Sequence, residues 1–274
     1  MKKFSLAFLL LMAMLVLAAC GGGAEEDPAT DDAAENAGSE EDLLAKVQEE
    51  GTLVIGTEGT YPPLTFHDAS GELTGFDVEI AREVAERLGV EAEFLETQWD
   101  AMFAGLDAGR FDMVANQVGI NPERQESYEF SDPYITSTAV LVVAEDDTEI
   151  QSFEDLDGKL SAQSLTSNYA ETATSFGAEL EGVEGFNQAI ELLNSGRVDA
   201  TVNDNLTVLD FLKQRPDAQV KVVDESEDAA QSGLLFRQDS GAIVDEVNKA
   251  LADMIEDGTY DEISEEWFGE NVLE

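Results

Sequence analysis

Four short stretches carry polar side chains of the kinds a zwitterion needs: Glu58 and Tyr61 in GTEGTYPP, Asn116 to Gly119 in FDMVANQVG, Thr166 and Ser167 in SLTSN, and Asn203-Asp204 in DATVND. A carboxylate asks for a planar fork of donors, which Arg124 in NPERQE supplies, and for backbone N–H groups at a helix start, such as the one after Thr166-Ser167. An α-ammonium asks for a carboxylate and carbonyl acceptors, and Asp204 meets that need. The set therefore suits an α-amino acid. Spacing alone also allows plainer roles: Arg124 as a solvated helix residue, Asp204 as the cap of DNLTVLDFL, Tyr61 and Trp99 as core aromatics. Capping and ligand binding do not exclude each other. His67 is the only histidine, and no glycine-rich phosphate loop or paired-cysteine site occurs, so no metal, cofactor or serine triad is expected.

The elements that must position these residues follow from periodicity. TLVIGT (52–57) is an apolar strand followed by a turn holding Gly59, Pro62 and Pro63. FDVEIAREVAERLG places Ile80, Ala81, Val84, Ala85 and Leu88 on one helical face, with Asp77 near its start and Gly89 at its end. VEAEFLE then reads as a strand, WDAMFAGLDAG as a helix and RFDMVANQ as a strand, which is the alternation of a parallel sheet covered by helices. A second run follows: the short helix SFEDLDG with Ser152 and Asp155 as its cap, the strand KLSAQS, a helix from Asn168, the helix FNQAIELLNSG and the strand VDATVN.

LDAGRFDMVANQ from Leu106 and LNSGRVDATVND from Leu193 agree at five of twelve positions, 87 residues apart. Each ends a helix with glycine and leads into a buried strand whose carboxyl end carries Asn116-Gln117 or Asn203-Asp204. Ligands of open parallel sheets bind beyond such ends. Two runs imply two lobes of α/β type, each a mostly parallel sheet flanked by helices, facing each other across one cleft. TAVLVVA (138–144) and SGLLFR (232–237) are the expected crossovers, with lobe one formed by 43–140 and 235–274 and lobe two by 141–234. The tail from Ser240 to Phe268, with Ile243, Val247, Leu251 and Ile255 spaced by four, is expected to pack back on lobe one.

The ends and the charge bound the setting. Lys2 and Lys3 precede an apolar run too short to span a membrane, so residues 1–19 read as an export signal. Leu17-Ala18-Ala19-Cys20 resembles a bacterial lipobox, which implies an acylated Cys20 at the new amino terminus and no internal disulfide. Residues 20–42 add an acidic stretch with nothing to pack, a tether reaching roughly 25 Å. Beyond the signal, 12 Lys and Arg stand against 60 Asp and Glu. Nucleic acid is excluded as a partner, and anionic ligands are repelled, whereas a neutral zwitterion feels little of this field beyond a Debye length of about 8 Å. Acids scattered through every segment are expected to adapt the chain to a saline exterior.

GTEGTYPPLTFHDASGELTGFDVEIA, ETQWDAMFAGLDAGRFDMVANQVGINPER, FSDPYITSTAVLV, AQSLTSN, GFNQAIELLNSGRVDATVND and DGTYDEISEEWFGE, in this order over most of residues 43–274, resemble polar amino acid substrate-binding proteins of ATP-binding-cassette importers, cystine-binding branch. The resemblance implies a periplasmic-binding-protein-like fold of type II that closes on its ligand and delivers it to a permease driven by an ATPase. It implies a monomer, lipid-anchored on the outer face of a bacterial membrane, and no enzyme. It assigns the ligand α-carboxylate to Arg124 with backbone at Gly119 and Thr166, and the α-ammonium to Asp204 and the main chain near Gln117. Glu58, Tyr61 and Trp99 match side-chain pocket positions. Relatives often carry Ser or Thr where Gly119 stands, whereas Asn116-Gln117-Val118 points to the cystine branch. Cysteine, diaminopimelate and glutamine stay open as ligands. A dehydratase of cyclic precursors of aromatic amino acids, with Glu58 as an acid, and a ligand-sensing receptor subunit stay open as functions.

Overall fold

A computed structural model of the chain describes residues 42–273. The expected export signal, the acylated Cys20 and all but the last residue of the tether lie outside the described residues. Helix α1 (Leu43–Glu50) begins where the Asp42 side chain accepts the Leu44 N–H and ends on Gly51 in the left-handed region. Strand β1 (Thr52–Thr57) leads into a small antiparallel sheet of β2 (Thr60–Tyr61), β3 (Thr65–His67) and β4 (Leu73–Thr74). Then come α2 (Phe76–Leu88), β5 (Glu91–Glu96), α3 (Trp99–Asp107), β6 (Met113–Gly119), the single turn α4 (Pro122–Gln125), β7 (Tyr128–Phe130) and β8 (Ile135–Ser137).

The second lobe runs β9 (Ala139–Ala144), a 3-10 turn over Phe153–Leu156, β10 (Leu160–Gln163), α5 (Asn168–Ser175), β11 (Glu179–Gly182), α6 (Phe186–Asn194), β12 (Ala200–Asp204), α7 (Asn205–Gln214) and β13 (Val220–Glu225). The chain returns through β14 (Ala230–Arg237) and finishes with α8 (Gly241–Asp257) and α9 (Thr259–Phe268). The first sheet has the order β5-β1-β6-β14-β7, with β8 also on β14, and the second the order β11-β10-β12-β9-β13. Both are parallel where strands belong to βα units and antiparallel where β14, or β9 and β13, join them.

The passages between sheets fall at Thr138 and at residues 226–229, a few residues before the expected boundaries, because β9 and β14 each hydrogen-bond along their length into one sheet. The tail helices pack on α2. Ile255 is not part of that packing: it is 45% exposed and Met254 is buried in its place. Four residues advance a helix by about 400°, so a stripe spaced strictly by four drifts off the core face.

The repeated segment does the same mechanical work twice. Gly109 (φ 67°) and Gly196 (φ 64°) end α3 and α6 in the left-handed region that glycine adopts without strain. Asp112 donates its N–H to Val54 O at 2.7 Å and its carboxylate accepts the Val54 N–H at 3.1 Å. Asp199 repeats this on Leu160, donating to its carbonyl and accepting its N–H, both at 2.8 Å. Each repeat thus clamps its strand to a neighbour, which sets the depth at which Asn116 and Asn203 emerge at the cleft.

Candidate ligand-binding cleft

Glu58, at the end of β1, is held by Asn116 on β6. The Asn116 side chain donates to Glu58 Oε2 at 2.7 Å, and its oxygen accepts the Glu58 N–H at 2.8 Å. Burial pushes the Glu58 carboxyl up to about 7, assisted by Asp100 and opposed by the bond from Asn116. Tyr61, buried, donates its hydroxyl to Asn203 Oδ1 in the other lobe at 2.7 Å.

These groups line a small cavity of about 40 Å³. Trp99, Gln117 and Ser167 also face it, so that with Asn203 seven of the residues named from the sequence line the cavity. Asp204 lies just beneath. Its Oδ1 accepts the Leu206 N–H to cap α7, and its Oδ2 accepts the hydroxyls of Ser137 and Tyr169. The capping role that its spacing allowed is thus met, by a carboxylate that is fully buried and does not itself line the cavity.

Gly119, Arg124 and Thr166 form a second cluster beside the cavity. The Arg124 guanidinium donates to Gly119 O at 3.0 Å and, across the cleft, to Thr166 O at 3.2 Å. Its carbon stands 5.4 Å from the centre of the Trp99 ring and 5.3 Å from that of Phe103. Arg124 is buried rather than solvated, and desolvation lowers its pKa. A Cβ at position 119 would stand 3.4 Å from the guanidinium, an ordinary contact, so Arg124 would tolerate a small side chain there. Thr166 donates its N–H and its hydroxyl to Asp100 Oδ1, at 3.1 and 2.8 Å. Tyr61, Arg124 and Asp100 thus tie the lobes together, and the cleft is closed.

A family model describing bacterial extracellular solute-binding proteins, family 3, matches residues 53–270. The chain belongs to this family. It is 51% identical over 240 residues to the L-cystine-binding protein TcyA of Bacillus subtilis strain 168, covering 87% of this chain and 89% of that one. The L-cystine solute receptor of Neisseria gonorrhoeae, in an unliganded open conformation, is 48% identical with a TM-score of 0.56, over 85% of this chain and 99% of that one. An ancestral arginine-binding protein bound to glutamine is 39% identical with a TM-score of 0.77, over 80% of this chain and 99% of that one. The overlay on the open receptor is poorer despite the higher identity, in keeping with the closed cleft here.

The site of this family-3 chain also holds residues that sequence reasoning did not single out: Tyr169, Gly185, Phe186 and Ser137. One of them was recoverable. Adding the 87-residue offset of the repeat to Trp99 gives Phe186, so the repeat sets one aromatic of each lobe at matching positions on the cavity wall, beside Tyr61 and Tyr169. Ser137 and Tyr169 carried no such signal, because their importance comes from meeting Asp204 in space. Among the described residues there is no cluster of metal-ligating side chains and no helix long and apolar enough to cross a membrane.

Proposed function

We propose that the chain is the substrate-binding lipoprotein of an ATP-binding-cassette importer, anchored through Cys20, which captures L-cystine between its lobes and presents it to a permease. The observation that carries this reading is a cavity between hydrogen-bonded lobes, walled by Tyr61, Trp99 and Phe186, with Glu58 on its wall and the Arg124 and Asp204 groups beside and beneath it. Cystine is two zwitterionic heads joined by an apolar disulfide, so it needs charged groups at both ends and aromatic faces between. Arg124, with backbone at Gly119 and Thr166, takes the carboxylate of one head. Asp204 and the Gln117 main chain take its ammonium, and Glu58, oriented by Asn116, meets the ammonium of the distal head.

The Arg124 group now spends its donors on two backbone carbonyls, which an arriving carboxylate replaces with charge-assisted bonds. Calorimetric titration of the full chain with L-cystine under non-reducing conditions, beside cysteine, diaminopimelate and glutamine, tests the reading. Tight one-to-one binding of cystine that is lost in Arg124→Ala is the expected result. No heat with any of the four in a folded sample overturns it.

A further inference from the structure

Gln117 lies within β6 yet has a left-handed backbone, φ 47°, which side chains other than glycine seldom adopt. The β6–β14 ladder is irregular at the same place, Leu235 pairing Val114 while Gly233 pairs Val118, so residues 115–117 bulge out of register. Three side chains grip Gln117. Its N–H donates to the Tyr134 hydroxyl at 3.2 Å, its carbonyl accepts from Ser232 Oγ at 3.3 Å, and its side-chain amide donates to Ser137 Oγ at 3.3 Å.

The Tyr134 hydroxyl has one proton. Because it accepts the Gln117 N–H, that proton is free to go to an acceptor, and it goes to Asp77 Oδ1 at 3.0 Å. Asp77, at the start of α2, and Tyr134 are both buried, neither lines the cavity, and the second Asp77 oxygen has no hydrogen-bond partner. Burial pushes the Asp77 carboxyl up to about 7, against the pull of the Tyr134 hydroxyl and the Gln117 N–H. A carboxylate half-satisfied in the core costs stability. What it provides is a fixed direction for one hydroxyl, and through it for one peptide of the cavity wall.

We propose that Asp77, acting through Tyr134, is a positioning residue of the ligand site, holding the strained Gln117 peptide in the orientation that receives the ligand. This rests on the amino-acid-binding reading above, and the two can fail separately. The experiment measures L-cystine affinity and the hydrogen exchange of the Gln117 amide in the full chain and in Tyr134→Phe, Asp77→Ala, Asp77→Asn and the double variant Tyr134→Phe/Asp77→Ala. Tyr134→Phe and Asp77→Ala are each expected to weaken binding roughly tenfold and to speed exchange at Gln117. The double variant should be no weaker than Tyr134→Phe alone, because both changes cut the same link. Asp77→Asn should retain most of the affinity, since its amide oxygen still accepts the hydroxyl proton.

A role confined to core stability would lower the melting temperature, leave affinity and Gln117 exchange unchanged, and give additive losses; that pattern overturns the proposal. Should Asp77→Ala fail to fold, Tyr134→Phe and Asp77→Asn still decide it. A wild-type chain that binds no amino acid overturns the proposed function instead, and the exchange rate at Gln117 then decides the positioning role by itself.

Discussion

Tyr61 and Asn203 stand on opposite lobes and share a hydrogen bond of 2.7 Å over the cavity, so the closed cleft is fastened at its ligand-facing wall as well as at the Asp100–Thr166 contact. Removing the hydroxyl in Tyr61→Phe leaves the aromatic face and takes away one of the two donors to the Asn203 oxygen, the Asp204 N–H at 2.9 Å remaining. The closed state should lose about 1 kcal/mol, and the amino acid ligand should dissociate several-fold faster with little change in association rate, as stopped-flow fluorescence would register.

Arg124 lies between two backbone carbonyls and two aromatic rings, a geometry suited to a planar fork. Arg124→Lys keeps the charge but not the fork, and should recover little of the affinity that Arg124→Ala loses, on the order of a hundredfold in either variant. Equal binding by the lysine variant and the wild type in calorimetry would remove the bidentate role.

The Glu58 carboxyl, raised by burial to about 7, is largely protonated at pH 5.5. Pairing with an ammonium requires the ionised form, so binding of a ligand with a distal ammonium releases a proton and affinity rises with pH through this range, flattening above about 7. Glu58→Gln should abolish that part of the dependence. In the absence of ligand the sign reverses. The folded chain holds this proton over a pH range where the unfolded chain has released it, so stability falls as pH rises from the ordinary glutamate value to about 7; Asp77 adds a slope of the same sign, and Glu58→Gln should remove only the Glu58 share. Melting curves at pH 5 and pH 8 measure it.

Asp112 is buried between the Val54 N–H and Lys46 Nζ, at 3.1 and 2.7 Å, whereas Asp199 makes its matching clamp on Leu160 from an exposed position. Asp112→Ala should therefore cost about 1–3 kcal/mol of stability and Asp199→Ala about half as much or less. Urea unfolding gives the comparison.

Asn116 shows how local pattern and spatial arrangement divide the information. Sequence alone carried the repeated helix, glycine stop and strand that bring Asn116 and Asn203 to one cleft, and the Gly89 stop of α2, but not the Asp42 cap of α1. Those features are written in neighbouring residues, through a 3.6-residue or two-residue period and through glycine's freedom at positive φ. Only the tertiary structure decided that Asn116 serves Glu58 while Asn203 receives Tyr61, that Arg124 is buried against Trp99 and Phe103, and that Met254 displaces Ile255 from the core. It also decided the chain from Asp77 through Tyr134 to Gln117, and the meeting of Ser137 with Asp204. These partners are far apart in sequence, and no periodicity encodes them: they meet because two sheets, each set by its own local rules, are closed on one another by two short passages of chain.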